Sequence, residues 1–293
     1  MDARLVLVII GLVCGLVGGL IAAIMGMVTQ ACLSNYFGEI RDRRRLNTEE
    51  ERERRRLRSE KYREHEETRR QQYRAALHHR ETGDSLRYFD LSHQNLADLD
   101  LNGADLCAVD LTGANMFGGI LTNTNLKAAR LAGANLQQAN LQGASLAGAD
   151  LEGADLTLAN LTNADLVGAN LRAAVLWGAN LEEANLAVAN LDLAVLSGSD
   201  LQSAVLLRAT LREANLRGAN LRGAIMSGSN LEGSKLQHAN LQRAKLWDAN
   251  LERAELTGAD LTESSLTGAR LAQAWLDDST RMPQGWEDMV TSR

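Results

Sequence analysis

The sequence predicts an all-β solenoid of stacked coils, preceded by an apolar helix and a charged α-helix. Three observations predict it. Leucine recurs at every fifth residue from Leu91 to Leu276, 38 positions in a single register with methionine only at Met116 and Met226. Aromatic residues make up only 4% of the chain and there is one proline, so a conventional globular core rich in large rings is excluded. The composition also changes sharply along the chain, giving an apolar start (1–40), a charged stretch (41–85), the periodic region (86–280) and a tail (281–293).

In the first segment, Leu5 to Val28 is a run of 24 residues without a charge. At about 1.5 Å per residue, ~20 apolar residues cross a bilayer core, so the run is long enough for one span. Arg41, Arg43, Arg44 and Arg45 follow it, and such a cluster stays on the cytoplasmic side. The expected topology is a single-pass membrane protein with its repeat domain cytoplasmic. Gly11, Gly15, Gly19 and Ala23 recur every four residues, placing small residues on one helix face where a second helix packs closely. The alternative is a signal peptide cleaved after Thr29-Gln30-Ala31, which would make an exported envelope protein. Against it, the apolar run exceeds the usual length and Arg4 is offset by Asp2.

Residues 47–82 contain no Gly or Pro, and Thr48 followed by Glu51 fits a capping box. Glu50/Arg54, Glu51/Arg55 and Glu66/Arg70 have the acid-first spacing that supports a helix. Leu46, Leu57, Tyr62, Tyr73 and Leu77 are too sparse for a heptad seam, so a solvated helical spacer of about 50 Å is expected. Its His65, His78 and His79 read as surface residues.

A period of five fits neither a helix, where the leucines would wind around every face, nor a flat strand, where they would alternate sides. It fits short extended sides joined by turns that return each Leu to the interior, a column that only stacked repeats can bury. Two residues before each Leu stands Ala in 28 cases and Ser in four; Asn or Asp directly precedes it in 24. Asn and Asp suit a corner because their side chains bond nearby backbone, and proline, which would remove a ladder donor, is absent from the repeats.

The A-(D/N)-L-x-x pattern, as in the run from Ala149 to Leu171, resembles the pentapeptide repeat proteins. The resemblance covers about 86–280 and implies a right-handed quadrilateral β-helix, four repeats to a coil, with the Leu and the Ala two residues before it inward. Thirty-eight repeats then make about 9.5 coils and a rod of ~45 Å. Residues 20 apart become stacked neighbours. Glu152, Arg172, Asp192, Arg212 and Glu232 form one such column of alternating sign, expected as a stabilising ladder. Phe89, Gln94, Leu99 and Val109 replace the expected Ala, implying a widened first coil. Tyr88 and Phe89 are expected to cover that end, and Trp275, Trp286 and Met289 the other.

The whole chain carries −6, with +4 over 41–85 and −9 over 86–293, so no nucleic-acid footprint is present and no direct nucleic-acid binding is expected. Cys14, Cys32 and Cys107 are too few for a disulfide framework or zinc site, and no base accompanies Cys107. No catalytic, metal or cofactor residues are expected; the protein reads as a non-enzyme. The four-sided arrangement gathers Val167, Ala187, Val188, Val205, Leu207, Ile225 and Trp247 on one outward face, and Leu158, Val175, Trp177 and Val195 on the opposite one. Outward apolar clusters mark docking surfaces, here for a protein partner or for self-association. The family also contains DNA mimics that bind gyrase, so a gyrase-directed DNA mimic is the alternative that the resemblance implies.

Overall fold

A computed structural model describes residues 51–64, 66–68, 71–76, 78 and 85–288. The apolar run 5–28, the Gly11/Gly15/Gly19/Ala23 stripe, the arginine cluster, the cleavage-site alternative and Met289 lie outside the described residues. No described helix is long and apolar enough to cross a membrane. The chain divides into two compact units, Met1–Glu66 and Glu67–Arg293.

The repeats form parallel bridges between residues 20 apart, from Asp90↔Asp110 to Glu255↔Trp275. Four pentapeptides therefore complete one coil. Face 1 carries the bridge residues Asp90 to Arg270, face 2 Asn95 to Trp275, face 3 Asp100 to Asp260 and face 4 Asp105 to Ser265, each in steps of 20. The leucines and the residues two before them fill the interior; Leu166, Ala169, Leu171 and Ala174 are fully buried.

A single repeat shows why the pattern has these residues. Leu161 N–H donates to Asn180 O (2.6 Å) and Asn163 N–H to Glu182 O (2.9 Å). Ala164 N–H closes a β-turn on Leu161 O (3.0 Å), and Asp165 N–H bonds the coil below at Ala144 O (2.9 Å). One amide remains, that of Thr162, and it donates to Asn160 Oδ1 (3.1 Å). All 24 Asn and Asp residues preceding a core Leu accept from the amide two residues on in this way, as at Asp90, Asp200 and Asp260. Buried or half-buried amides need a partner, so the Asn/Asp preference is a backbone-satisfaction rule. Asn side chains add a second bond between coils, as in Asn160 Nδ2 to Asn140 Oδ1 (3.2 Å) and Asn240 Nδ2 to Asn220 Oδ1 (3.3 Å). Asn160→Ala is expected to lose about 1–2 kcal/mol in a denaturant titration, with unchanged m-value.

The third residue of each turn has positive φ, as a type II turn requires. At Gly178 (φ +62°) there is a second constraint: Leu158 Cδ2 lies 2.9 Å from where a Cβ would stand. The corner columns thus place a glycine beneath a large side chain.

The ends differ from expectation. The last turn of the helical segment covers the first coil: Ala76 is buried, Tyr73 and Ala75 pack on the core, Tyr73 Oη donates to Asn95 O (3.2 Å), and Asp90 N–H donates to Gln72 Oε1 (3.0 Å). Residues 71–76 are therefore a lid on the solenoid rather than free spacer. The sparse apolar residues cannot form a core of their own, but Tyr73 together with Ala75 and Ala76 closes the open coil. Tyr88 is 69% exposed, while Phe89 and Leu99 pack against the core. The turn bonds of the enlarged repeats are looser, 3.3 Å at Phe89, Gln94 and Leu99 against about 3.0 Å farther on. In the first unit, described residues 51–64 and Glu66 are helical, with an ion pair between Arg56 and Glu60 (3.1 Å). Glu51 and Arg55 do not pair, as exposed pairs gain little from closing.

At the other end, Asp260 bridges Arg281, so the last side holds one extra residue. Leu276 is consequently turned out (38% exposed) and leaves the leucine column, and Trp275 is 69% exposed rather than covering the end. Pro283 is buried there and Met282 and Trp286 pack against the core, with a 3-10 turn at Trp286–Asp288.

Candidate protein-docking faces

Faces 1 and 3 are held by Asn/Asp caps and by charge. Arg172 Nη1 meets Glu152 Oε1 at 3.0 Å, Arg212 Nε meets Glu232 Oε2 at 3.5 Å, and Arg212 N–H donates to Asp192 Oδ1 at 2.9 Å. The alternating column read from the sequence is therefore stacked as expected. On face 3, Arg243 Nε meets Glu263 Oε2 at 2.7 Å.

Faces 2 and 4 are different. Face 4 brings together Val167, Ala187, Val188, Val205, Leu207, Ile225 and Trp247 over five consecutive coils, through the bridges Asp165↔Asn185, Asn185↔Val205, Val205↔Ile225 and Ile225↔Lys245. Val188 (56%), Trp247 (48%) and Leu207 (42%) are open to solvent, while Val167, Ala187, Val205 and Ile225 are half-buried between neighbouring coils. Trp247 Nε1 donates to Ser265 Oγ, fixing the ring along the face. Where Val205, Ile225, Lys245 and Ser265 replace Asn or Asp, the amides of Leu207, Ser227, Trp247 and Thr267 have no acceptor among the described residues. Face 4 therefore offers unpaired backbone donors at the ~4.8 Å coil spacing beside the apolar side chains.

On face 2, Val175 and Val195 stack, Trp177 is 52% exposed, and Leu158 lies over Gly178. The chain's sequence-level pattern did not single out the groove at the corner of faces 1 and 2. Its volume is about 730 Å³, and Leu193, Arg212, Glu232, Lys235, Glu255 and Trp275 line it. The signal was present in the register: Lys235, Glu255 and Trp275 are one column, and Leu193 stands two residues after a core Leu.

Two carboxylates on faces 2 and 3 are held below the ordinary 3.8. Burial pushes Asp155 up, but the Thr157 hydroxyl and amide and Gln137 Nε2 (2.6 Å) more than offset it. Asp260 behaves likewise, burial opposed by Thr262, Gln242 and Arg281. A depressed folded pKa stabilises above the unfolded value and loses that contribution as pH falls through the folded one. Stability is expected to fall below about pH 4, with a shallower fall in Asp155→Asn, checked by thermal melts between about pH 2 and 6. Among the described residues no cluster of His, Cys, Asp or Glu could hold a metal ion. Cys107 is half-buried with Arg87 Nη2 at 3.7 Å.

This is a stacked-coil repeat protein whose distinguishing features are surfaces rather than a reaction centre. The chain belongs to the pentapeptide repeat family: the family described as Pentapeptide repeats matches eight copies over segments from 86–123 to 246–280. The fold is accordingly a right-handed quadrilateral β-helix. HetL, a pentapeptide repeat protein involved in heterocyst differentiation regulation from the cyanobacterium Nostoc sp. strain PCC 7120, is 35% identical, with 69% of this chain and 91% of that chain covered and a TM-score of 0.68. QnrB1, a plasmid-mediated fluoroquinolone resistance protein, is 21% identical over 67% of this chain and 94% of that one, at a TM-score of 0.45. No curated protein matches.

Proposed function

We propose that the protein is a non-enzymatic interaction scaffold, anchored in a membrane by residues 5–28 with its repeat rod on the cytoplasmic side. The observation that carries the binding role is the apolar stripe of face 4, where Val188, Leu207 and Trp247 stand open to solvent at outward positions. Apolar surface kept from water gains ~25 cal/mol per Å², and a Trp within an aliphatic patch is the residue type most often found as an energetic anchor. The rod is continuously hydrogen-bonded, so the face is preorganised and a partner does not have to order it. HetL's regulatory description is in keeping with a role exercised through binding. The gyrase-directed alternative is disfavoured by the pairs Arg172–Glu152, Arg212–Glu232 and Arg243–Glu263, which interrupt the negative columns a DNA mimic needs.

The test combines Leu207→Asp with Trp247→Ser, both outward of the leucine column. The double variant is expected to melt as the wild type does, yet lose its co-purifying protein or its oligomeric size in detergent extracts. Full retention of both would place the interaction elsewhere. Fractionation with N-terminal sequencing of the mature chain tests the anchor: a start at Cys32 would make it the exported form.

A further inference from the structure

We infer that the occupant of face 4 is a second copy of this chain, paired side by side and antiparallel about a two-fold axis at the level of Ile225. The inference rests on face 4 being an interaction surface and names its partner.

Charge sets the register. Two exposed residues at the corner bordering the patch, Arg208 and Asp248, make no ion pair or side-chain hydrogen bond with any other described residue. Most of their charged counterparts on faces 1 and 3 do pair, as Arg172, Arg212 and Arg243 show. Arg208 and Asp248 lie 40 residues apart in one corner column, so they sit two coils apart, one on each side of the coil carrying Ile225. The Arg208 stem runs over Gly228 and the Asp248 carboxylate over Gly268, and both residues are exposed.

In an isologous interface every off-axis contact occurs twice, residue i of one copy meeting residue j of the other and j meeting i. A two-fold lying in the interface and crossing the rods at Ile225 keeps each corner column opposite itself and reverses its order. Arg208 of one copy then faces Asp248 of the other, and the pair occurs twice. Leu207 meets Trp247, Val188 meets Gly268, and Val205 lies against the aliphatic stem of Lys245. Ile225, Ser227 and Gly228 fall on the axis, where the small Ser and Gly permit close approach.

Neighbouring registers fail. An axis one coil earlier sets Arg208 against its own copy, a like-charge contact, and one coil later does the same to Asp248. An axis half a coil away puts Arg208 opposite Gly228 and Val188 opposite Asp248. A parallel pairing brings Asp248 to Arg243, whose guanidinium is already committed to Glu263 at 2.7 Å. The pitch also agrees, because an identical coil presents its groups at the same ~4.8 Å spacing over the whole contact. The patch is narrow, so the dimer is expected to be weak and concentration-dependent rather than obligate.

The experiment is charge exchange on the full chain in detergent, read by sedimentation across protein concentration. Arg208→Asp and Asp248→Arg are each expected to raise the dimer dissociation constant about tenfold or more, since each converts two attractive contacts into repulsive ones. The double variant R208D/D248R restores the pairing and is expected to return to the wild-type value. Ile225→Cys is expected to form a disulfide-linked dimer under mild oxidant, above the background of the native cysteines. Unaltered melting of each variant excludes misfolding as the cause. A wild-type chain that stays monomeric at every concentration overturns the inference. So does a double variant no better than the singles, or an Ile225→Cys chain that forms no linked dimer. If self-association is absent but the Leu207→Asp/Trp247→Ser variant loses a different protein, the face remains an interaction surface and only the second copy is wrong.

Discussion

Ala169→Phe is expected to destabilise the rod by about 3 kcal/mol or more, near or beyond the upper end of the usual cost of overpacking. Ala169 is fully buried, and the residues stacked above and below it, Ala149 and Ala189, are buried as well. The coil spacing is set by backbone hydrogen bonds, with Asn170 N–H donating to Ala149 O and Asn190 N–H to Ala169 O, both at 2.9 Å. A ring cannot enter that column unless adjacent coils separate, and separation breaks ladder bonds on every side of the coil. The interior is packed like a crystal, so it has no slack to absorb the added volume. The measurement is a chemical or thermal melt, together with hydrogen exchange, which is expected to show the largest loss of protection in the coils nearest Ala169. Substituting the outward Arg172 by Phe serves as the control; an equal loss there would mean that Ala169 does not point inward.

Ala76→Asp is expected to unseat the lid from the first coil at a cost of several kcal/mol, because it places a carboxylate at a fully buried apolar contact. Ala76 is 1% exposed, and the lid's hydrogen bonds run through Tyr73 to Asn95 O and from Asp90 N–H to Gln72. A repeat rod is stabilised by nearest-neighbour contacts, so the damage should stay local. Hydrogen exchange is expected to rise at the amides of Leu86, Leu91 and Leu96, while those around Leu186 stay protected. Tyr62→Ala, at a well-exposed site on the helical segment, should leave both regions unchanged. Uniform loss of protection along the rod would show that the lid is part of a single cooperative unit instead.

The period of five determined the solenoid, its inward positions and its register without help from the tertiary structure. Leu at one position and Ala two before it describe a narrow core that only stacking can bury, and the Glu152–Arg172–Asp192–Arg212–Glu232 column already implied 20 residues per coil. The membership of face 4, from Val167 to Trp247, followed from the same arithmetic, because in a repeat without insertions position along the chain is position in space. Three things required the tertiary structure. The role of Asn and Asp was visible only as a corner preference; the structure shows it to be the capping of one amide per repeat, and so shows which amides on faces 2 and 4 go uncapped. Arg208 and Asp248 looked like any other surface charges until their lack of partners among the described residues could be seen. The ends were the least legible: Tyr73 and Ala76 cover the first coil, and one extra residue before Arg281 turns Leu276 outward. Periodicity states what a repeat does between two identical neighbours. Where one neighbour is missing, the cover comes from residues outside the repeat, and their placement is decided by packing against the exposed coil.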